Sequence, residues 1–167
     1  MVTLRKISHI TGFSISTVSK ALNDGMDVSF ETKKYIQRVA VQNNYIPNKA
    51  AISLRKSKSN IISIIVPKIN EIVFAEVLCD IQKLASKSGY RIMLYQSLHN
   101  VTKEEEFIKE INDGSVDAAI IISTTSCEIP KENTIPVKVL KIRKNYNCEE
   151  VKKDCINNFN QLLKQIA

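Results

Sequence analysis

After residue 60 the chain alternates short runs of β-branched apolar residues with amphipathic stretches, and this alternation constrains the fold most. Ile61–Pro67, Arg91–Gln96, Ala118–Ser123 and Val137–Ile142 are the apolar runs. Between them, helices are predicted over Phe74–Ser88, ended by Gly89, and from Thr102 to Asn112, ended by Gly114. Thr102 and Glu105 have the spacing of a capping box, and the Glu104-Glu105 pair then reads as a helix first turn. A last helix is predicted over Lys153–Ile166. Strands apolar on both faces, separated by helices, require a parallel sheet covered on each side. The body is therefore expected to be α/β, a parallel sheet flanked by helices.

The first 46 residues follow a different rule and predict an all-α head. Thr3 can cap a helix over Leu4–Thr11, which Gly12 ends. Ser14 can cap a second over Ile15–Leu22, with Val18, Ala21 and Leu22 inward and Asn23-Asp24-Gly25 as breaker. Ser29 can cap a third over Phe30–Asn44, with Tyr35, Ile36, Val39 and Ala40 as its apolar stripe. Two helices joined by a tight turn containing Gly make a helix-turn-helix, and Ser8 is small enough to let them approach. In that motif the second helix enters the major groove with its N-terminal residues at the base edges. Ile46 before Pro47 is forced out of the helical region. Residues 49–55 can be helical again, and residues 56–60 read as a polar linker. The predicted domains are a head over 1–46, a hinge helix and linker over 47–60 and a body over 61–167.

Charge divides the chain at the same place. Residues 1–60 hold ten Lys/Arg against three Asp/Glu, so the whole net charge of +7 lies there. The remaining 14 basic and 14 acidic residues cancel. A basic module attached to a neutral one is the footprint of nucleic-acid binding. Cys79, Cys127, Cys148 and Cys155 show no Cys-x-x-Cys spacing, so neither a metal site nor a disulfide framework is expected. No cofactor is implied. The N-terminus lacks a secretory apolar run, and Ile61–Val66 is far too short to span a bilayer. A cytoplasmic protein with no membrane partner is expected.

The head holds Thr3-Leu4, Gly12-Phe13-Ser14 and Ser16-Thr17-Val18-Ser19-Lys20-Ala21-Leu22-Asn23 in that order. Val28-Ser29, Thr32, Asn44-Tyr45-Ile46-Pro47-Asn48, Ala51 and Ser53-Leu54-Arg55 continue the series. By these residues and their spacing the head resembles the LacI/GalR family of bacterial repressors. In the body, Ile61–Pro67, Phe74–Leu78, Gly89-Tyr90, Val116–Ile121 and Ile135-Pro136-Val137 are also similar. Lys6 and Ser8 depart from the family's usual acid and Ala, and Thr11 stands where Ala is usual. Length is the larger departure. Family members carry a body of two subdomains like those of periplasmic binding proteins, and Ala167 falls about where the first would end. A shortened regulator with one such subdomain is expected.

The resemblance assigns roles residue by residue. Ile15, Ser16 and Lys20 would read bases, and the chemistry suits them: Lys donates to guanine O6 and N7, Ser bonds either partner, and Ile meets a thymine methyl. Thr3, Ser14, Thr17, Ser19, Asn23, Ser29 and Thr32 would hold phosphates, a role compatible with helix capping. Ala51 and Leu54 would belong to a hinge helix whose Leu wedges into the minor groove beside that of a second subunit. Asn70, Phe74 and Ser97 would line an effector cleft beyond the strand C-termini, although a small-molecule effector is left open because two halves are needed to enclose one. Plain solvent-facing, capping or core roles are the alternative for each.

Together these features predict a transcription regulator, a repressor binding a palindromic operator in double-stranded DNA as a homodimer. A regulator that binds DNA without effector control is the alternative. An enzyme is not expected: the four glycines are dispersed, Gly-x-Ser-x-Gly is absent, and His9 and His99 are far apart.

Overall fold

The computed structural model describes residues 2–23, 25–48, 51–53, 57–124, 127–142 and 147–166. They form two compact units, Met1–Lys49 and Ala50–Ala167.

The first unit consists of α1 (Leu4–Thr11), α2 (Ile15–Leu22) and α3 (Phe30–Gln42). Each begins at a hydroxyl cap. Thr3 accepts from Lys6 N–H at 3.3 Å, Ser14 from Thr17 N–H at 3.1 Å, and Ser29 from Thr32 N–H at 3.3 Å. Gly12 closes α1 at φ 75°, a left-handed conformation that glycine adopts without steric cost. Ser8 does more than stay small: its hydroxyl donates to Phe13 O at 2.6 Å and fastens the turn between α1 and α2. Ile7, Val18, Ala21, Ile36 and Val39 form the core, with Leu4, Phe13, Leu22, Val28 and Tyr45 packed around it. Tyr35 is not part of this core. It lies at the surface with its ring edge-on to Phe13, centroids 6.4 Å apart. The third helix ends two residues before the predicted Asn44, because Asn43 Nδ2 donates to Val39 O and Asn44 turns left-handed at φ 51°.

The second unit is a four-stranded parallel sheet in the order β2-β1-β3-β4. Its strands are β1 (Ile61–Val66), β2 (Arg91–Gln96), β3 (Ala118–Ser123) and β4 (Val137–Lys141). Ile64 lies between Leu94 and Ile120 in register, so the central strand is flanked by apolar neighbours. Helices α4 (Ile72–Lys87) and α6 (Cys148–Ile166) bury Phe74, Val77, Ile81, Phe159 and Leu162 against Ile62, Ile64, Ile120 and Ile122 on one face. On the other face α5 (Val101–Glu110) and the 3-10 turn Ile111–Asp113 bury Ile108 and Ile111 against Ile65, Ala119 and Ile121. From β1 the chain adds β2 on one side and then β3 and β4 on the other, and this reversal of strand order makes a doubly wound sheet with a crevice beyond the strand C-termini.

Three helix starts differ from the sequence reading. Thr102 does not cap α5; Asn100 does, its Oδ1 accepting from Thr102 and Lys103 N–H at 2.9 and 3.4 Å. The fourth helix begins at Ile72, two residues before the predicted Phe74, and Phe74 is buried in the core. The last helix begins at Cys148, five residues early, with Val151 in its first turns buried against the sheet.

Candidate nucleic-acid interface

Helix α2 is amphipathic in the sense a reading helix needs. Val18 and Ala21 are fully buried, whereas Ile15, Ser16 and Lys20 are exposed on the opposite side. Ile15, 44% exposed, places an apolar side chain on this outward face. At the start of the helix Ser14 Oγ stands 2.8 Å from both Ser16 Oγ and Thr17 Oγ1, a hydroxyl cluster beside the unsatisfied amides of a helix N-terminus.

The seven phosphate candidates divide by accessibility. Thr3, Ser14 and Ser29 are exposed, each capping a helix start. Thr17, Asn23 and Thr32 are half-buried; Asn23 Nδ2 donates to Ser19 O at 2.7 Å, and Thr32 Oγ1 accepts from Ser29 Oγ at 2.9 Å. Ser19 is buried, at 9% exposure, and so is the least accessible of the seven. Of the hinge residues, Ala51 is exposed in the helical segment 51–53, and Leu54 lies outside the described residues.

One charged neighbour was missed in the sequence. Lys20 Nζ forms an ion pair with Asp27, from the turn that follows α2. The hydrogen bond from Lys20, more than any other influence, holds the Asp27 carboxyl below its ordinary range. An acid within three residues of a breaker, in a segment otherwise so basic, was the available signal.

In the body, the three effector candidates do not converge on an open surface. Asn70 is exposed, Phe74 is buried in the core under the sheet, and Ser97 is buried with its hydroxyl donating to Glu104 Oε1 at 3.0 Å. Glu104 is itself fully buried and also accepts from Ser123 Oγ at 2.6 Å. It is a first-turn residue of α5, as its sequence position implied, but an internal one. Nearby, His99 joins Glu71 through Nε2 at 3.1 Å and Thr124 through Nδ1 at 3.0 Å. A cleft of about 460 Å³ lies near the opposite end of the sheet, lined by Lys58, Asn60, Ser88, Tyr90, Leu163 and Lys164. Among the described residues no group of three or more His, Cys, Asp or Glu is placed to hold a metal ion. No helix among them is long and apolar enough to cross a membrane.

A three-helix unit with a tight α1–α2 turn and an exposed α2 is a helix-turn-helix head, followed here by a doubly wound α/β body. Residues 3–48 match the family of bacterial regulatory proteins described as the lacI family. Over 144 residues the chain is 30% identical to the sucrose operon repressor of Staphylococcus xylosus, an alignment spanning 84% of this chain and 45% of that protein. A lacI-family transcriptional regulator from Silicibacter pomeroyi superposes with a TM-score of 0.66 at 27% identity, covering 83% of this chain and 43% of that one. The lac repressor dimer bound to operator and an anti-inducer superposes at 0.68 with 23% identity, over 73% of this chain and 37% of that one, a likeness of fold. The similarity to the lacI family therefore spans residues 3–48 and continues through most of the body. The chain spans under half the length of the curated relatives it matches.

Proposed function

We propose that the chain is a sequence-specific DNA-binding transcription regulator acting in the cytoplasm, a repressor in kind and not an enzyme. One observation carries this reading: α2 buries Val18 and Ala21 while leaving Ile15, Ser16 and Lys20 exposed, in the segment that holds the whole net positive charge. An isoleucine, a hydroxyl and an ammonium on one exposed helix face match a thymine methyl, a base edge and a guanine O6/N7 pair. The exposed caps Thr3, Ser14 and Ser29 supply hydroxyls for phosphates, with Thr17, Asn23 and Thr32 beside them and Ser19 the least accessible. Ala51 and Leu54 belong to the hinge, where Leu54 wedges into the minor groove. Such a head reads one half-site, so a palindromic operator and a homodimer on DNA follow from two-fold symmetry. A repressor reading accords with the sucrose operon repressor among the relatives.

A second reading, DNA binding without effector control, is favoured by the burial of Phe74 and Ser97, which leaves Asn70 alone exposed among the effector candidates.

Selection of bound duplexes from random DNA, followed by titration over a salt series, tests the proposal. Inverted half-sites should emerge, and with roughly 5–8 phosphate contacts per subunit log K should fall with log salt by about 0.9 per contact. No enriched sequence, together with a salt slope near zero, would sink it.

A further inference from the structure

We infer that Asp27 sets the sequence discrimination of the head by holding Lys20 away from phosphates, an inference that rests on the reading of α2 as the base-reading helix. The pair is on the surface, the two side chains being 52% and 57% exposed, so it lies where DNA would approach α2. The turn after α2 is shaped to make it. Gly25 N–H donates to Lys20 O at 2.8 Å, folding the chain back over the last turn of α2. A Cβ on Gly25 would stand 3.1 Å from Lys20 Cβ and 3.2 Å from both Asp27 Oδ1 and Lys20 O. A side chain there would press on Lys20 and Asp27 and shift them by a few tenths of an ångström.

The consequence is electrostatic. A lysine ammonium is a compact charge on a flexible stem and is drawn to any phosphate within reach. Left free, Lys20 would strengthen binding to every duplex alike. Paired with Asp27, it offers a random duplex little net charge. An exposed pair is weak, so a well-placed guanine edge can take over the ammonium. Asp27 thereby penalises wrong DNA more than right DNA, which is how a competing charge produces specificity. Asp27 touches no base in this scheme and acts through Lys20 alone.

The test uses the full chain with Asp27→Asn, Lys20→Met and both together, since all are surface changes whose folding a thermal melt can check. Binding is measured by fluorescence anisotropy over a salt series. The probes are the tightest duplex recovered by selection and a random-sequence duplex of equal length. With Lys20 present, Asp27→Asn should tighten random-duplex binding roughly 5–10-fold and steepen its salt slope by about 0.9, the value of one added phosphate contact. The selected duplex should gain less than about 2-fold, as the ammonium is already engaged there. In the Lys20→Met background, Asp27→Asn should change random-duplex binding less than about 2-fold, the residue of general charge repulsion. Equal gains in both backgrounds, or none in either, overturn the inference and leave the reading of α2 intact. A Lys20→Met protein with an unchanged ratio of selected to random binding overturns both.

Discussion

Ser123, the last residue of β3, donates its hydroxyl to the buried carboxylate of Glu104 on α5 across 2.6 Å, while Ser97 beyond β2 donates to the other oxygen. One internal side chain thus ties together the ends of two strands that flank β1. Leucine at 104 removes the carboxylate to which both serines donate. Hydrogen bonds to a charged group are worth about 1.5–3 kcal/mol each, and relaxation recovers part, so Glu104→Leu should destabilise by about 2–4 kcal/mol. Urea denaturation reads this directly. A midpoint equal to wild type means that the site is not closed in solution.

At the other end of the sheet, Asp117 holds the segment that enters β1. Its Oδ1 accepts from Ser59 N–H at 2.6 Å and Ser59 Oγ at 2.9 Å, and its Oδ2 from Asn60 N–H at 2.9 Å. Lys58 Nζ adds a bond to Ile166 O at 2.6 Å, near the C-terminal end of α6 where a cation is favourable. The residues just before β1 are therefore clamped to the body. Asp117→Ala should cost about 1.5–3 kcal/mol, the range for hydrogen bonds to a charged group. It should also accelerate hydrogen exchange at the Ser59 and Asn60 amides at least tenfold. Unchanged exchange there excludes the clamp.

Much of this architecture could be read from residues alone, and the exceptions share a cause. Leu4–Thr11 and Ile15–Leu22 were legible end to end because each has a hydroxyl cap and a local stop, Gly12 or Asn23. The runs at 61–66 and 118–123 were legible as strands because buried parallel strands are apolar on both faces, whereas 91–96 forms a partly exposed edge strand with Arg91 and Gln96 at its ends. The start of α4 was set two residues late because Ile72-Val73-Phe74 has no helical period of its own, and only the sheet beneath shows which residue is inward. Asn100 and Thr102 are competing caps two residues apart, and the backbone entering α5 from Ser97 decides between them. Glu104–Ser123 pairs across two elements, so neither partner's neighbourhood in sequence reveals the other, and for Lys20–Asp27 the sequence offers only an acid beside a breaker. At α2 the exposed face follows from periodicity; the roles given to Ile15, Ser16 and Lys20 follow from resemblance and base chemistry.

Cysteine reactivity should divide two and two. Cys79 and Cys148 are exposed, whereas Cys127 and Cys155 are buried. Burial pushes the Cys155 thiol up to about 12; burial, followed by the negative charge of Glu104, pushes Cys127 up to about 11. At pH 8 iodoacetamide should modify Cys79 and Cys148 within minutes and spare the others until urea is added, as counted by intact-mass spectrometry. Both buried thiols ionise later in the fold than in the unfolded chain, where the ordinary value is 9.0. Their neutral forms therefore favour the fold fully below pH 9, and that contribution is lost as pH rises toward about 11 and about 12. Melting temperature should fall in that alkaline window, and less so in Cys155→Ala than in wild type.

Ser14 allows capping to be separated from DNA binding at a single atom. Its oxygen accepts from Thr17 N–H at 3.1 Å and lies among the hydroxyls of Ser16 and Thr17, so it can cap α2 and face a phosphate together. Alanine removes both functions and should cost about 1 kcal/mol of stability along with affinity. Aspartate separates them. It caps as well as serine and gains from the helix dipole, so Ser14→Asp should keep stability within about 0.5 kcal/mol of wild type. Its charge, however, would meet the DNA backbone directly, and affinity for any duplex should drop about tenfold or more as a contact turns repulsive. Wild-type affinity in a fully stable Ser14→Asp protein would show that this serine caps the helix and touches no phosphate. Loss of affinity with stability intact assigns the start of α2 to the DNA backbone, independently of any base read by Lys20.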